Sequence, residues 1–181
     1  QKGEVFERAF GLAKPDSPFL IASITKPMTA TAVMILVDRG RLQYEDPVSA
    51  HLPNFSTGDR AKLTIRHLLT HTSGLPDMLP DNNALRQRNA PLSDFINGAL
   101  STPLLFPPGT RTSYQSMGIL LAAHIVEKAT RQPLRQFLKT EIFEPLKMTR
   151  TTLGKTENAV RLQTEHADPP GGTPETAHWD W

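Results

Sequence analysis

The stretch Phe19-Leu20-Ile21-Ala22-Ser23-Ile24-Thr25-Lys26-Pro27-Met28-Thr29-Ala30-Thr31-Ala32-Val33-Met34-Ile35-Leu36-Val37-Asp38-Arg39-Gly40 decides how this chain is read. Ala30, Val33, Met34 and Val37 fall at the i, i+3, i+4 and i+7 positions of one helical face, and Ile35 and Leu36 widen that stripe. A helix that is apolar on most sides belongs in an interior. Gly40 stands where a left-handed C-terminal cap is expected. Pro27 fits only the opening turn, because deeper in the helix it would delete a hydrogen bond and clash with the preceding turn. The spacing predicts a helix from about Ser23 to Arg39.

Ser23 and Lys26 open that helix three residues apart, a spacing that puts both side chains on one face. A serine hydroxyl is a poor nucleophile until a neighbour takes its proton, and an amine withdrawn from water becomes a usable base near neutral pH. The unpaired N–H groups and positive dipole end of a helix start also favour developing negative charge. The competing reading is a helix cap followed by a solvated lysine, and a Ser-x-x-Lys tetrad alone favours it. Context tips the balance: these residues begin the most apolar helix of the chain, directly after a turn and an apolar run.

Working outward, residues 2–13 alternate imperfectly between Gly3 and Gly11 and read as one strand, followed by a turn at Lys14-Pro15-Asp16-Ser17-Pro18. Asp46-Pro47 predicts a cap and first helical residue for a short helix through His51. Thr64 can cap a helix that buries Ile65, Leu68 and Leu69 and ends at Ser73-Gly74. Residues 76–90 read as a polar loop, Pro91 to Leu100 as a helix, and Pro107-Pro108-Gly109 as a turn leading to Tyr114. Met117 to Thr130 and Pro133 to Phe143 are two further apolar helices, and from Met148 onward Thr, Pro and Gly predict loop. The expected total is mostly helical with little sheet.

Tyr114-Gln115-Ser116 is a second chemical candidate. A phenol both donates and accepts, and a nearby cation makes its phenolate easier to reach, so Tyr114 could shuttle a proton. The plainer reading makes Tyr114 a loop aromatic and Ser116 the cap of the Met117 helix. His67 and His71 stand four apart on the expected helix, a spacing open to zinc, but no Glu follows His67 and no third ligand is evident, so a structural role at the Thr72-Ser73-Gly74 turn is favoured. Thr72-Ser73-Gly74 lacks the first glycine of a nucleophile elbow. Lys155-Thr156-Glu157 has Glu where a Lys-Thr-Gly strand of an acyl-transfer site would have glycine, and reads as loop.

Composition narrows the remaining classes. With 181 residues the chain suits one domain, and a net charge of +2 without a long Lys/Arg run argues against a nucleic-acid partner. Cysteine is absent, which removes disulfides, thiolate zinc sites and a cysteine nucleophile. Ala32 to Val37, the longest apolar run, is far too short to span a bilayer. Gln1 in place of Met, and a chain that stops in the aromatic cluster His178 to Trp181, lead to the expectation of an interior piece of a longer protein.

Taken in order, Ile21 to Ala30, Asp38-Arg39-Gly40-Arg41-Leu42 with Asp46-Pro47-Val48, Ile65 to Leu75, Pro108-Gly109-Thr110 and Tyr114-Gln115-Ser116 resemble the serine β-lactamase-related family. That family comprises class C β-lactamases, D-Ala-D-Ala carboxypeptidases and family VIII esterases, and the match runs from about residue 3 to 153. The resemblance implies an α/β (α+β) fold of the β-lactamase/transpeptidase type. Here it would be mostly the helical subdomain plus the nucleophile helix, with most of the antiparallel sheet missing. It further implies one partial domain over 1–181: a strand at 2–13, the nucleophile helix and helical region at 19–153, and a loop-rich tail at 154–181.

By the same resemblance Ser23 is the acylated nucleophile, Lys26 its proton acceptor and Tyr114 a further general acid or base. Ser116 contacts substrate where many relatives carry Asn, and the Ser23 N–H supplies half of an oxyanion hole. The family's C-terminal strand with its Lys- or His-containing triplet has no counterpart after Met148. The implied activity is a serine hydrolase acting on a small-molecule ester, β-lactam or D-Ala peptide, without metal or cofactor. The Ser-Ile-Thr-Lys-Pro helix, Pro108-Gly109 and the terminal aromatics incline the choice to a carboxylesterase or β-lactamase-related hydrolase. The alternative is a non-catalytic scaffold or binding protein of the same fold. Relatives are usually exported, which inclines localisation to the periplasm or exterior; oligomeric state stays open.

Overall fold

The computed structural model describes Phe6, residues 8–11, 14–17, Phe19 and residues 21–154. Seven α-helices occur among them: α1 (Thr25–Asp38), α2 (Val48–His51), α3 (Ile65–Leu69), α4 (Asn82–Gln87), α5 (Leu92–Ser101), α6 (Met117–Thr130) and α7 (Leu134–Leu138). No strand occurs among the described residues; their one β-type pairing is an isolated antiparallel bridge between Pro47 and Thr64. What they contain is thus the helical part of the expected α/β (α+β) fold.

Helix α6 is the hub. It buries Met117, Gly118, Ile119, Leu121, Ala122, Ile125 and Val126, and α1, α3, α5 and α7 all pack against it. From α1 come Ala32, Val33 and Leu36, each fully buried, joined in one cluster by Leu63, Ile65, Leu68, Phe55 and Phe137. Burial of this apolar surface is the main force holding α1 and α6 side by side. The opposite side of α1 is less covered than an all-round apolar helix leads one to expect: Met34 is 49% exposed, and Ile24 just ahead of the helix 63%. A helix buries only the faces for which neighbours exist, and among the described residues α1 has α6 and α7 on one side.

Helix ends are closed by identifiable groups. Gly40, at φ +66°, ends α1 as its sequence position predicts, with Arg41 N–H donating to Leu36 O at 2.9 Å and Gly40 N–H to Val37 O at 2.9 Å. Thr64 caps α3 in a reciprocal box: its hydroxyl accepts from His67 N–H, and the His67 ring nitrogen Nδ1 accepts from Thr64 N–H at 3.1 Å. Histidine here does the work usually given to Glu or Gln. Guanidinium groups close two other ends: Arg60 donates to the carbonyls of Leu100 and Thr102 behind α5 while lying 4.1 Å from the Phe55 ring centroid, and Arg41 donates to Ala129 O in α6.

Several expectations are corrected. In the stretch 2–13, read as a strand, Phe6 and residues 8–11 take no strand conformation, and no strand elsewhere among the described residues offers them hydrogen bonds; the rest of that stretch lies outside the described residues. Regular α1 starts at Thr25 rather than Ser23, because Ala22–Ile24 forms a 3-10 turn ahead of it. Pro47 occupies the cap position of α2 instead of the first helical one, and Asp46 directs Oδ2 back to Gln43 N–H at 2.8 Å. Helix α3 stops at Leu69, four residues short of the Ser73-Gly74 end that was expected, because His71 adopts φ +59°. Residues 76–90 include α4, which buries Leu85. The run from Pro133 to Phe143 divides into α7 and a π turn at Lys139–Phe143, where Glu141 pairs with Arg39 at the end of α1 (Oε1 at 3.0 Å). Lys155-Thr156-Glu157 and the remainder of the 154–181 tail beyond Gly154 lie outside the described residues.

The segment after α3 crosses under residues 105–113. Gly74 O accepts from Leu105 N–H at 2.7 Å and Thr72 O from Gly109 N–H at 2.8 Å. Gly74 has φ +80°, and a Cβ there would meet Phe106 O at 2.1 Å. Both the backbone angle and the space demand glycine. Gly74→Ala is expected to destabilise the fold by about 2 kcal/mol or more, read as a lowered midpoint in urea unfolding; an unchanged midpoint would contradict this packing.

Candidate active site

Ser23 sits in the 3-10 turn that leads into α1. The turn is sharp. Ala22 before it has φ +43°, an uncommon angle for a residue with a Cβ, and Ile24 N–H returns to Ile21 O at 3.0 Å. Thr25 Oγ1 donates to Ala22 O at 2.7 Å, so the turn is held by a side chain as well as by backbone. Ser23 emerges exposed at the opening of α1, where early N–H groups have no intrahelical acceptor.

Lys26 lies one turn further on, and its Nζ donates to Ser23 Oγ at 3.1 Å. Tyr114 arrives from far along the chain, just before α6, and its hydroxyl donates to the same Ser23 Oγ at 2.8 Å. The Lys26 ammonium also stands 4.9 Å from the Tyr114 ring centroid, within the range of a cation–π contact. Thus the Ser23–Lys26 pair and Tyr114, two separate candidates in the sequence, meet at one oxygen. Lys26 by hydrogen bonding, and then Ser23, hold the Tyr114 phenol below its ordinary ionisation range, against a smaller opposing effect of burial. Tyr114 is half exposed, so this site is open to solvent and to ligands among the described residues.

Ser116 is placed next to this group by chain connectivity but is not bonded to it. Its hydroxyl donates to Asp77 Oδ1 at 2.8 Å, and its N–H reaches the same oxygen at 2.8 Å. Ser116 occupies the cap position of α6 without a capping bond from its own side chain. Asp77 was not singled out in the sequence, and no local signal could have found it: it lies 39 residues from its partner in a stretch read as polar loop.

His67 and His71 do not share a helix face, because α3 ends between them. The His67 ring goes to the Thr64 cap and stands against Gly109, where a Cβ would meet its Nε2 at 3.1 Å. The His71 ring goes to Tyr114 instead, with centroids 4.8 Å apart and planes tilted by 37°. Among the described residues no group of three His, Asp or Glu side chains could hold a metal ion.

A hydroxyl flanked by an amine and a phenol is suited chemically to acyl transfer once either neighbour is deprotonated, since each stands within hydrogen-bonding reach of the proton the hydroxyl must lose. The family model described as Beta-lactamase matches residues 1–181. The chain is 36% identical over 170 residues to "Esterase EstB" of Burkholderia gladioli, covering 81% of this chain and 43% of that protein. It is 31% identical over 176 residues to "Protein flp" of Staphylococcus aureus strain N315, covering 93% of this chain and 35% of that protein. Among solved structures, a D-stereospecific amidohydrolase from Streptomyces sp. superposes with a TM-score of 0.67 at 29% identity, covering 77% of this chain and 45% of that one. The chain therefore spans less than half the length of these curated relatives.

The geometry makes Tyr114 measurable. The sequence holds two tyrosines, Tyr44 and Tyr114, so in a Tyr44→Phe background phenolate absorbance reports Tyr114 alone. Its ionisation is expected below the ordinary phenol range, and Lys26→Met is expected to raise it because the chief cause of the depression is gone. A titration that does not respond to Lys26→Met would contradict the arrangement.

Proposed function

The chain belongs to the β-lactamase family, and on that premise we propose that its protein is a serine hydrolase that forms an acyl-enzyme on Ser23. The observation that carries this reading is the convergence of Lys26 Nζ and Tyr114 Oη on Ser23 Oγ, at 3.1 and 2.8 Å. Ser23 Oγ attacks the carbonyl carbon of an ester or amide, and its proton passes to the Lys26–Tyr114 pair. One of the two must be deprotonated to take it: a neutral Lys26 amine directly, or the Tyr114 phenolate that the Lys26 hydrogen bond favours. The pair then returns it to the leaving alkoxide or amine, and in the second half-reaction takes a proton from the water that releases the acid.

The negative charge on the carbonyl oxygen forms beside the Ser23 N–H and the first turn of α1, where unpaired N–H groups and the helix dipole favour it. Ser116 contacts substrate in this proposal; with its hydroxyl proton given to Asp77, its remaining lone pairs can only accept. The substrate is a small carboxylic ester, β-lactam or D-Ala-type peptide. Support for that class comes from an esterase and a D-stereospecific amidohydrolase among the relatives.

A fluorophosphonate probe tests the reading directly in the complete protein. Mass spectrometry is expected to find the adduct on Ser23, with none after Ser23→Ala. Lys26→Met and Tyr114→Phe are each expected to slow labelling by about 10²- to 10⁴-fold, the usual worth of a general acid or base. A folded protein that stays unlabelled would favour the non-catalytic scaffold, and one that labels equally fast without Lys26 would remove Lys26 from the mechanism.

A further inference from the structure

We infer that His71 is a positioning residue that holds Tyr114 against Ser23 by accepting the Gln115 N–H on its ring nitrogen Nδ1. The inference rests on the acyl-transfer reading above for its consequence but not for its geometry.

Tyr114 lies in an irregular segment, residues 111–115, between the Pro107-Pro108-Gly109 turn and α6, so no helix or sheet fixes its backbone. Three contacts from one residue do. His71 O accepts from Ser113 N–H at 2.8 Å, His71 Nδ1 accepts from Gln115 N–H at 3.3 Å, and the His71 ring lies on the Tyr114 ring at 4.8 Å between centroids. The residues on either side of Tyr114 are therefore tied to His71, one by backbone and one by side chain, and the phenol rests on its ring. The next bond along the chain, Ser116 N–H to Asp77 Oδ1 at 2.8 Å, continues the same seam.

The placement of the ring has a local cause. His71 takes φ +59°, which ends α3 and turns its side chain away from the helix axis followed by His67. Among residues with a Cβ, His, Asn and Asp tolerate this left-handed angle best. The Gln115 side chain is anchored as well, its amide donating to Leu68 O at 3.1 Å and accepting from Gly118 N–H, which holds this residue with its own N–H facing His71 Nδ1. The Nδ1 acceptor is thus specific: a nitrogen must carry a free lone pair at that place. Losing it frees the Tyr114 backbone and lets the phenol drift from Lys26 and Ser23.

Two substitutions separate the acceptor from the backbone angle. His71→Gly accepts φ +59° freely but has neither ring nor acceptor, whereas His71→Asn tolerates the angle and offers an amide oxygen close to where Nδ1 stands. In the Tyr44→Phe background of the complete protein, His71→Gly is expected to raise the ionisation of Tyr114 toward the ordinary phenol range. It is also expected to slow fluorophosphonate labelling of Ser23 by about tenfold, the scale of one lost orienting hydrogen bond. His71→Asn is expected to keep both close to the parent. Far-UV circular dichroism confirms that the compared variants are folded. Equal Tyr114 titrations in the parent and a folded His71→Gly would overturn the inference, as would equal losses in the Gly and Asn variants. If the parent itself failed to label at Ser23, the hydrolase reading would fall, while the phenolate titration would still decide whether His71 holds Tyr114.

Discussion

Everything in this molecule that bears on chemistry depends on the packing of α1 against α6. Ser23 and Lys26 belong to the opening of α1, and Tyr114 lies three residues before α6 begins. Because the two helices share one apolar cluster, with Leu36 and Val33 on one and Leu121 and Ile125 on the other, their amino ends are brought to the same place. A pair of side chains 91 residues apart in sequence then meets at 2.8 Å. Van der Waals packing and apolar burial set the geometry, and the polar groups merely occupy it.

Around that pair the structure spends side chains on holding loops rather than on adding charge. Thr64 and His67 cap α3, Gly74 lets two loops cross, and Gln115 bridges the Leu68 carbonyl to α6. Asp77 and His71 hold the two ends of the Tyr114 segment. These groups sit one layer behind the reactive atoms, where they fix orientation at little cost in flexibility elsewhere. Three of the residues with positive φ, Ala22, His71 and Gly74, lie within or beside this layer.

What was legible in the sequence was local and periodic. The apolar stripe from Ala30 to Val37 marks α1, Gly40 and Thr64 mark caps, and the strongly apolar run from Met117 to Thr130 marks α6; each signal is carried by residues close together in the chain. What was illegible was long-range or aperiodic. Helix α4 escaped notice because Asn82 and Asn83 are weak helix formers and its buried residues, Asn82 and Leu85, give no repeating stripe. The spacing of His67 and His71 suggested a shared face, but a single left-handed residue sends the rings in different directions. Asp77 and the clamp on Gln115 depend on contacts across 39 and 44 residues, which no window of a single sequence contains.

The central claim is that Lys26 and Tyr114 jointly serve the Ser23 oxygen. A crystal structure of the complete protein after reaction with a phosphonate tests it most directly. The account predicts phosphorus bonded to Ser23 Oγ, the Lys26 ammonium and the Tyr114 hydroxyl still beside that oxygen, and the phosphonyl oxygen directed toward the start of α1. Phosphorus on another residue, or Lys26 and Tyr114 turned away from a modified Ser23, would contradict it.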